Sequence, residues 1–324
     1  MRDIGLVGVP FSGKSTLFTA LTRAGSHGGQ ANVAVVPVPD PRLGVLTEME
    51  RSRKTVPAQV RFVDVPGGTS SAQGVAKLRE SDALAVVVRC FGADRTPAQE
   101  LAEVRNELLL ADLAVVESAL EKAVKRAKGR PGPEVHALQR AKDALDAERP
   151  LRDAELDEQE LGHLKGIAAL TSKPEVVIAN LEEGEEIPAE LGDAVGVFAS
   201  IEAETTEMDP TEARALLEEF GVAEPGLERV IAAGYGALDL ITFLTTGEDE
   251  TRAWEVRRGA TAPEAAGAIH TDLQRGFIRA EVISFDELVA IGSIDAAKAA
   301  GKLRVEGKDY VVQEGDILHV RFAV

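Results

Sequence analysis

Residues 8–16 read Gly8-Val9-Pro10-Phe11-Ser12-Gly13-Lys14-Ser15-Thr16 and lie between a short apolar run, residues 4–7, and the start of a helical pattern at 16–22. They match G-x-x-x-x-G-K-[ST] in the strand–loop–helix context that this pattern needs. The constraint on the fold is strong. The loop works only where a buried strand feeds a helix, so the chain must open with an α/β unit. Backbone N–H groups in such a loop turn toward an anion at a helix N-terminus, where the dipole favours negative charge. Gly8, Pro10, Phe11, Ser12, Gly13, Lys14, Ser15 and Thr16 are the expected phosphate-binding residues. Lys14 would pair with the β/γ-phosphates, and the Ser15 hydroxyl would be offered to Mg²⁺.

The next 100 residues keep that style. Strand-like runs fall at 34–38, 60–65 and 83–89, with helices between or after them, which predicts a mainly parallel sheet. The run 60–65 ends in Asp64, and Gly67 follows three residues later. This is the D-x-x-G spacing that supplies a water-bridged Mg²⁺ carboxylate and a glycine N–H facing the γ-phosphate. Asp64 and Ser15 are therefore the expected metal residues, and Gly67 joins the phosphate set. Strands return at 175–179 and 195–199. The first of them runs into Asn180-Leu181-Glu182-Glu183, where P-loop GTPases usually read the base with Asn-Lys-x-Asp. Asn180, Leu181 and Glu183 are the expected base-binding residues. Leu181 stands for the lysine and Glu183 for the aspartate, which predicts a weakened preference for guanine.

Between these halves, apolar residues recur at helical spacing through Leu113, Val116, Leu120 and Val124, and again through Val135, Leu138, Ala141 and Leu145. The breaker cluster Gly129-Arg130-Pro131-Gly132-Pro133 separates them. The reading is an antiparallel helical hairpin. Lys122, Lys125, Arg126, Lys128 and Arg130 crowd its tip. They fit either favourable charge at a helix C-terminus or a phosphate-contacting tip on RNA. From about residue 237 short strand-like runs at 277–284, 303–305, 309–312 and 317–322, with a helix at 286–292, predict a small α+β domain. The domain reading is 1–111 with 173–236 for the nucleotide, 112–172 for the hairpin, and 237–324 for the C-terminal module.

Charge and composition narrow the class. The net charge is −18, but residues 175–224 hold 15 acidic residues against Arg214 alone, so the remainder is nearly balanced. Acidity thus argues against nucleic-acid contact through one face only. The lone cysteine, Cys90, sits in an apolar run and reads as a structural thiol. No apolar run approaches the roughly 20 residues of a membrane helix. The expectation is a cytoplasmic protein with no membrane partner.

Taken together, these residues resemble the Obg-like ATPase family, called YchF in bacteria, over nearly the whole chain. Residues 33–43, Val87-Val88-Arg89-Cys90-Phe91, the block 106–113 beginning Asn106-Glu107-Leu108, and Glu250-Thr251-Arg252-Ala253-Trp254 carry the likeness, with 268–324 the closest. The resemblance implies a P-loop domain with an inserted helical hairpin and a C-terminal β-grasp module of the TGS type. It also implies Asn-x-x-Glu at the base, ATP preferred over GTP, ATP hydrolysis, and association with the ribosome or an RNA-containing complex. Some positions depart from the family. Phe11-Ser12 replaces Asn-Val, the loop 24–32 is short with Gly28 at the family's threonine, and 68–75 lacks the long Gly-rich pattern. The loop 92–97 lacks the family's histidine; His27, in the short loop, lies where it could approach the γ-phosphate but reads as a solvated loop histidine and is not counted as catalytic. The expected function is an ATP-binding, slowly hydrolysing switch protein. A nucleotide-binding adaptor with little turnover and a GTP-binding regulator are the alternatives.

Overall fold

The structure is a computed structural model that describes residues 2–24, 26–27, 32–65, 67–92, 95–206, 208–220, 222 and 225–323. The strands among them are β1 (Asp3–Val7), β2 (Ser26–His27), β3 (Val33–Pro37), β4 (Thr55–Val56), β5 (Gln59–Asp64), β6 (Ala83–Arg89), β7 (Glu175–Asn180), β8 (Val195–Val197), β9 (Leu240–Thr245), β10 (Thr251–Arg257), β11 (Phe277–Ser284), β12 (Arg304–Glu306) and β13 (Asp316–Phe322). The helices include α1 (Lys14–Ala24), α2 (Pro41–Glu50), α3 (Ala72–Glu80), α4 (Pro97–Ala127), α5 (Pro133–Asp146), α6 (Glu158–Leu164), α7 (Ala199–Thr205), α8 (Pro210–Glu219), α9 (Gly226–Ala237) and α10 (Ala262–Ile269).

The chain packs as two compact units, Met1–Val36 with Val60–Leu238, and Pro37–Gln59 with Asp239–Val324. In the first, a seven-stranded sheet runs β2-β3-β5-β1-β6-β7-β8. β1 pairs in parallel with β5 and β6, and the parallel run continues through β7 to β8. At one end of the sheet the short β2 lies antiparallel to β3. Parallel strands are covered on both faces, which is why β6 is apolar from Ala83 to Val88 and buried throughout that span. The strand at 195–199 is shorter than its composition suggests. Phe198 leaves the extended run and Ala199 begins α7.

The helix α4 serves two cores. Thr96 and Gln99 form a capping box at its start, with Pro97 in the first turn. Leu101, Val104 and Leu108 then pack into the core of the sheet with Val86, Val88 and Leu170. Leu109, Val116 and Ala123 face Leu138, Ala141 and Leu145 of α5 and Leu164 of α6. The first helix of the hairpin is thus continuous from Pro97, and at 31 residues it spans about 46 Å. Lys128 ends it in the left-handed conformation, and Pro133 opens α5.

Two buried carboxylates pin this unit. Asp112, fully buried, accepts from the N–H groups of Leu170 (3.0 Å) and Thr171 (2.7 Å), from the Thr171 hydroxyl (2.8 Å), and from Arg79 of α3 (2.7 Å). Glu202 of α7 accepts from the N–H groups of Phe198 (3.1 Å), Gly226 (3.0 Å) and Leu227 (2.6 Å), the last two opening α9. Both satisfy donors that burial would otherwise leave without partners.

The second unit is a six-stranded mixed sheet, β12-β11-β13-β9-β10-β4. β11 and β13 are antiparallel, β13 and β9 parallel, and β9 and β10 antiparallel. Ala262, Ala265 and Ala266 of α10 pack on Ile241, Phe243, Ala280, Val282 and Leu318, so one helix crosses the sheet as in a β-grasp module. Residues 37–59 join this unit, although their place in the chain suggested the nucleotide domain. The reason is local bonding. β4 pairs in parallel with β10, the Ser52 hydroxyl donates to the Gly247 carbonyl (2.7 Å), and Arg42 pairs with Glu314 (2.6 Å). Residues 309–312 form no strand. The Tyr310 carbonyl accepts from Ala262 N–H and Val312 N–H donates to the Ala260 carbonyl, which ties the segment to the start of α10 instead. β9 and β10 have no counterpart in the sequence reading.

Candidate functional site

The loop after β1 turns tightly before α1. Ser12 N–H donates to the Val9 carbonyl (3.2 Å), and Leu17 N–H to the Gly13 carbonyl (2.9 Å), which closes the first helical turn. Gly13 has φ +86°, a region that glycine enters without steric cost. A Cβ there would lie 1.9 Å from Asn180 Nδ2. Asn180 itself is buried at the end of β7. Its Nδ2 donates to the Ser12 carbonyl (3.1 Å), and its Oδ1 accepts from Ala199 N–H (3.4 Å). One amide thus braces the loop from below and ties it to α7. The first turn of α1 contains no acidic side chain, so its dipole is left to an outside anion.

Lys14 pairs with Asp64, both side chains more than four-fifths buried. Asp64 ends β5, which runs parallel to β1, so sheet register brings the carboxylate beside the loop. Beyond it, Gly67 has φ +76° and precedes a single 3-10 turn, Gly68–Ser70. Ser71 then caps α3 through Gly74 N–H (3.0 Å). The Thr69 hydroxyl donates to the carboxylate of Glu107, which projects from α4.

These pieces surround a cavity of about 540 Å³. Its lining includes all the loop residues from Gly8 to Thr16, with Gly67, Gly68, Thr69, Ser70, Phe91, Glu107, Asn180 and Ser200. Every phosphate-binding residue expected from the sequence is on this wall. Asp64 is not, and it reaches the wall through Lys14. The base-reading set divides. Asn180 lines the cavity, Leu181 is buried in the sheet core beside Gly196, and Glu183 is exposed in a turn away from the lining. Sequence reasoning did not single out Thr69, Ser70 or Ser200, nor give Glu107 a role. Glu107 stood only in a block resembling the family, and no spacing rule links residue 107 to residue 69.

Phe11 also has a positive φ, 68°, and its side chain is 88% exposed. The Ser12 hydroxyl is buried without a hydrogen-bond partner among the described residues. Cys90 is half-buried, and burial pushes its thiol up to about 12, which keeps it an unreactive thiol at neutral pH. Gly28, in the short loop after α1, and residues 93 and 94, after Phe91, lie outside the described residues. His27 falls in β2. Among the described residues no cluster of three His, Cys, Asp or Glu could hold a metal, and no helix is long and apolar enough to cross a membrane.

The family model described as 50S ribosome-binding GTPase matches residues 3–117, and the YchF GTPase C-terminal model, described as a protein of unknown function, matches 240–323. The chain is 41% identical to the "Ribosome-binding ATPase YchF" of Pasteurella multocida (strain Pm70), with 99% of each chain covered. It is 39% identical to the protein of the same name in Bacillus subtilis (strain 168), again over 99% of each. The chain belongs to the YchF family. The solved structure of the Schizosaccharomyces pombe YchF GTPase superposes with a TM-score of 0.89 at 28% identity, covering 99% of this chain and 97% of that one. The alignment with the Pasteurella YchF runs to 358 positions against 324 residues here, so that relative carries segments this chain lacks.

Proposed function

We propose that this YchF-family chain is an ATP-binding switch protein that hydrolyses ATP slowly and works on the ribosome. The observation that carries the nucleotide part is the braced loop. Gly8–Thr16 wraps one wall of a cavity at an α1 N-terminus free of acidic side chains, with Lys14 inside it. A polyphosphate is the anion such a wall fits. Lys14 exchanges Asp64 for the β/γ-phosphates when nucleotide enters, and the N–H of Gly67 faces the γ-phosphate. Asn180 holds the loop and, of the three expected base-binding residues, is the one on the cavity wall. Leu181 and Glu183 act on the base only if the turn after β7 moves, and their exchange for alanine tests that part separately.

The residues present suit Mg²⁺. Ser15 follows Lys14 at the head of α1, and Asp64 is the carboxylate adjoining Lys14. A hydroxyl and one carboxylate, completed by water and phosphate oxygens, are the hard ligands this ion takes, and no all-protein cage is needed. When bound, the ion neutralises charge developing on the phosphates.

The ribosome enters through the names of the relatives at 39–41% identity over their full length. The ATP reading has the same support, and the Schizosaccharomyces relative's description as a GTPase keeps GTP as the second reading. The three segments 1–111 with 173–236, 112–172 and 237–324 serve here as nucleotide, hairpin and TGS-like parts, except that 37–59 packs with the last of them, and the cytoplasm is the proposed location. Competition of ATP and GTP for one labelled nucleotide, with phosphate release followed, tests the proposal. Binding of ATP without release on any partner leaves the nucleotide-binding adaptor.

A further inference from the structure

Among the described residues lining the cavity, only Lys14 and Glu107 carry ionisable side chains. A carboxylate beside a polyphosphate is unfavourable by simple repulsion, so its presence in such a wall calls for a reason. Its position is firmly set. It projects from α4, whose start is fixed by a capping box and whose next turns are buried in the sheet core. The Thr69 hydroxyl, in the turn directly after Gly67 and Gly68, donates to it. That single bond uses one of about four acceptor sites on a carboxylate.

Phosphoryl transfer to water needs a group that orients the nucleophile on the γ-phosphate side of the site. Gly68, the first residue after Gly67, has no side chain to do so. We propose that Glu107 is the catalytic base that orients and deprotonates the attacking water, and that Thr69 positions its carboxylate. The proposal rests on the ATP-binding reading above. In the step, the water oxygen forms a bond to the γ-phosphorus while the bond from that phosphorus to the β–γ bridging oxygen breaks. The bonding pair leaves on the ADP oxygen. The water proton passes to Glu107, which returns it to solvent as phosphate departs, so ATP and water give ADP, inorganic phosphate and a proton.

The test uses the full chain, with and without ribosomes, measuring ATP affinity by calorimetry and phosphate release in a single turnover. Glu107→Gln should keep ATP affinity equal to or tighter than wild type and slow release about 10²-fold. Glu107→Asp, which keeps the charge but withdraws it by one methylene, should fall between the two. Thr69→Val should slow release about tenfold at unchanged affinity. Release within about twofold of wild type in Glu107→Gln overturns the inference, as does wild-type release in Glu107→Asp should the glutamine variant fail to fold. Wild type that binds ATP but releases no phosphate under either condition overturns it too, while the binding reading stands. Lys14→Ala with undiminished ATP affinity would instead sink the nucleotide site itself.

Discussion

At the scale of single residues, the loop stores conformations that only particular side chains tolerate. Gly13 combines φ +86° with a Cβ position 1.9 Å from Asn180 Nδ2. Gly13→Ala should displace Asn180 from the Ser12 carbonyl, cost about 2–3 kcal/mol of stability, and weaken ATP binding at least about tenfold. Urea unfolding with a nucleotide titration checks both, and an alanine variant as stable as wild type would contradict this account of the brace. Phe11 poses the opposite case. A bulky residue with φ +68° and a largely exposed side chain gains little packing to offset its strain. Phe11→Asn, a residue more at ease in that region, should raise stability by about 0.5–1 kcal/mol. A fall in melting temperature would mean that the exposed ring has a partner within the free chain.

Elements were legible where an apolar run or a helical period was unbroken. β6 could be read from its continuous apolar run, β11 from an apolar-rich run, and the two hairpin helices from apolar residues at helical spacing. The strand at 309–312 could not, because an apolar run bounded by turns pairs with whatever segment is near, here the start of α10. β9 and β10 were missed because the run around Thr242, Thr245 and Glu255 mixes polar with apolar residues on a mostly covered sheet. The loop of the candidate site was visible in full, since its motif is contiguous. Glu107 was not, because it meets Thr69 only after α4 packs on the sheet. Glu202 shows the same limit: nothing in its neighbourhood marks it as the buried acceptor that joins α7 to α9. Burial raises its pKa above the ordinary 4.5, opposed by the N–H donors of Leu227, Phe198 and Gly226. A raised folded value means that the folded state holds the proton more tightly. The stability this gives, relative to Glu202→Gln, is complete below the unfolded value and is lost as pH rises through the folded one. Urea unfolding of both proteins between about pH 4 and pH 7 should show wild type losing ground to the glutamine variant as pH rises. Wild type gaining ground would mean that the hydrogen bonds outweigh desolvation.

For the whole molecule, the charge distribution separates candidate contact surfaces. The hairpin tip carries exposed Lys122, Lys128 and Arg130, while Arg126 is engaged by Glu134 at 2.6 Å. The segment from 175 to 224 is strongly acidic. If the tip meets RNA phosphates, reversing Lys122, Lys128 and Arg130 to Glu should weaken ribosome association and flatten its dependence on salt between about 50 and 200 mM. ATP affinity should not change, because the tip lies several helical turns along α4 from Glu107. Co-sedimentation with ribosomes at several salt concentrations measures this, and an unchanged slope would move the contact elsewhere. Everything proposed for this chain depends on nucleotide binding at the wall formed by Gly8–Thr16. Its most direct test is calorimetric titration of nucleotide-free protein with ATP and with GTP in Mg²⁺, for wild type and Lys14→Ala, with phosphate release followed in the same samples. ATP should bind more tightly than GTP, with slow phosphate release, and Lys14→Ala should lose both; ATP binding absent in wild type, or untouched by Lys14→Ala, would overturn the nucleotide site.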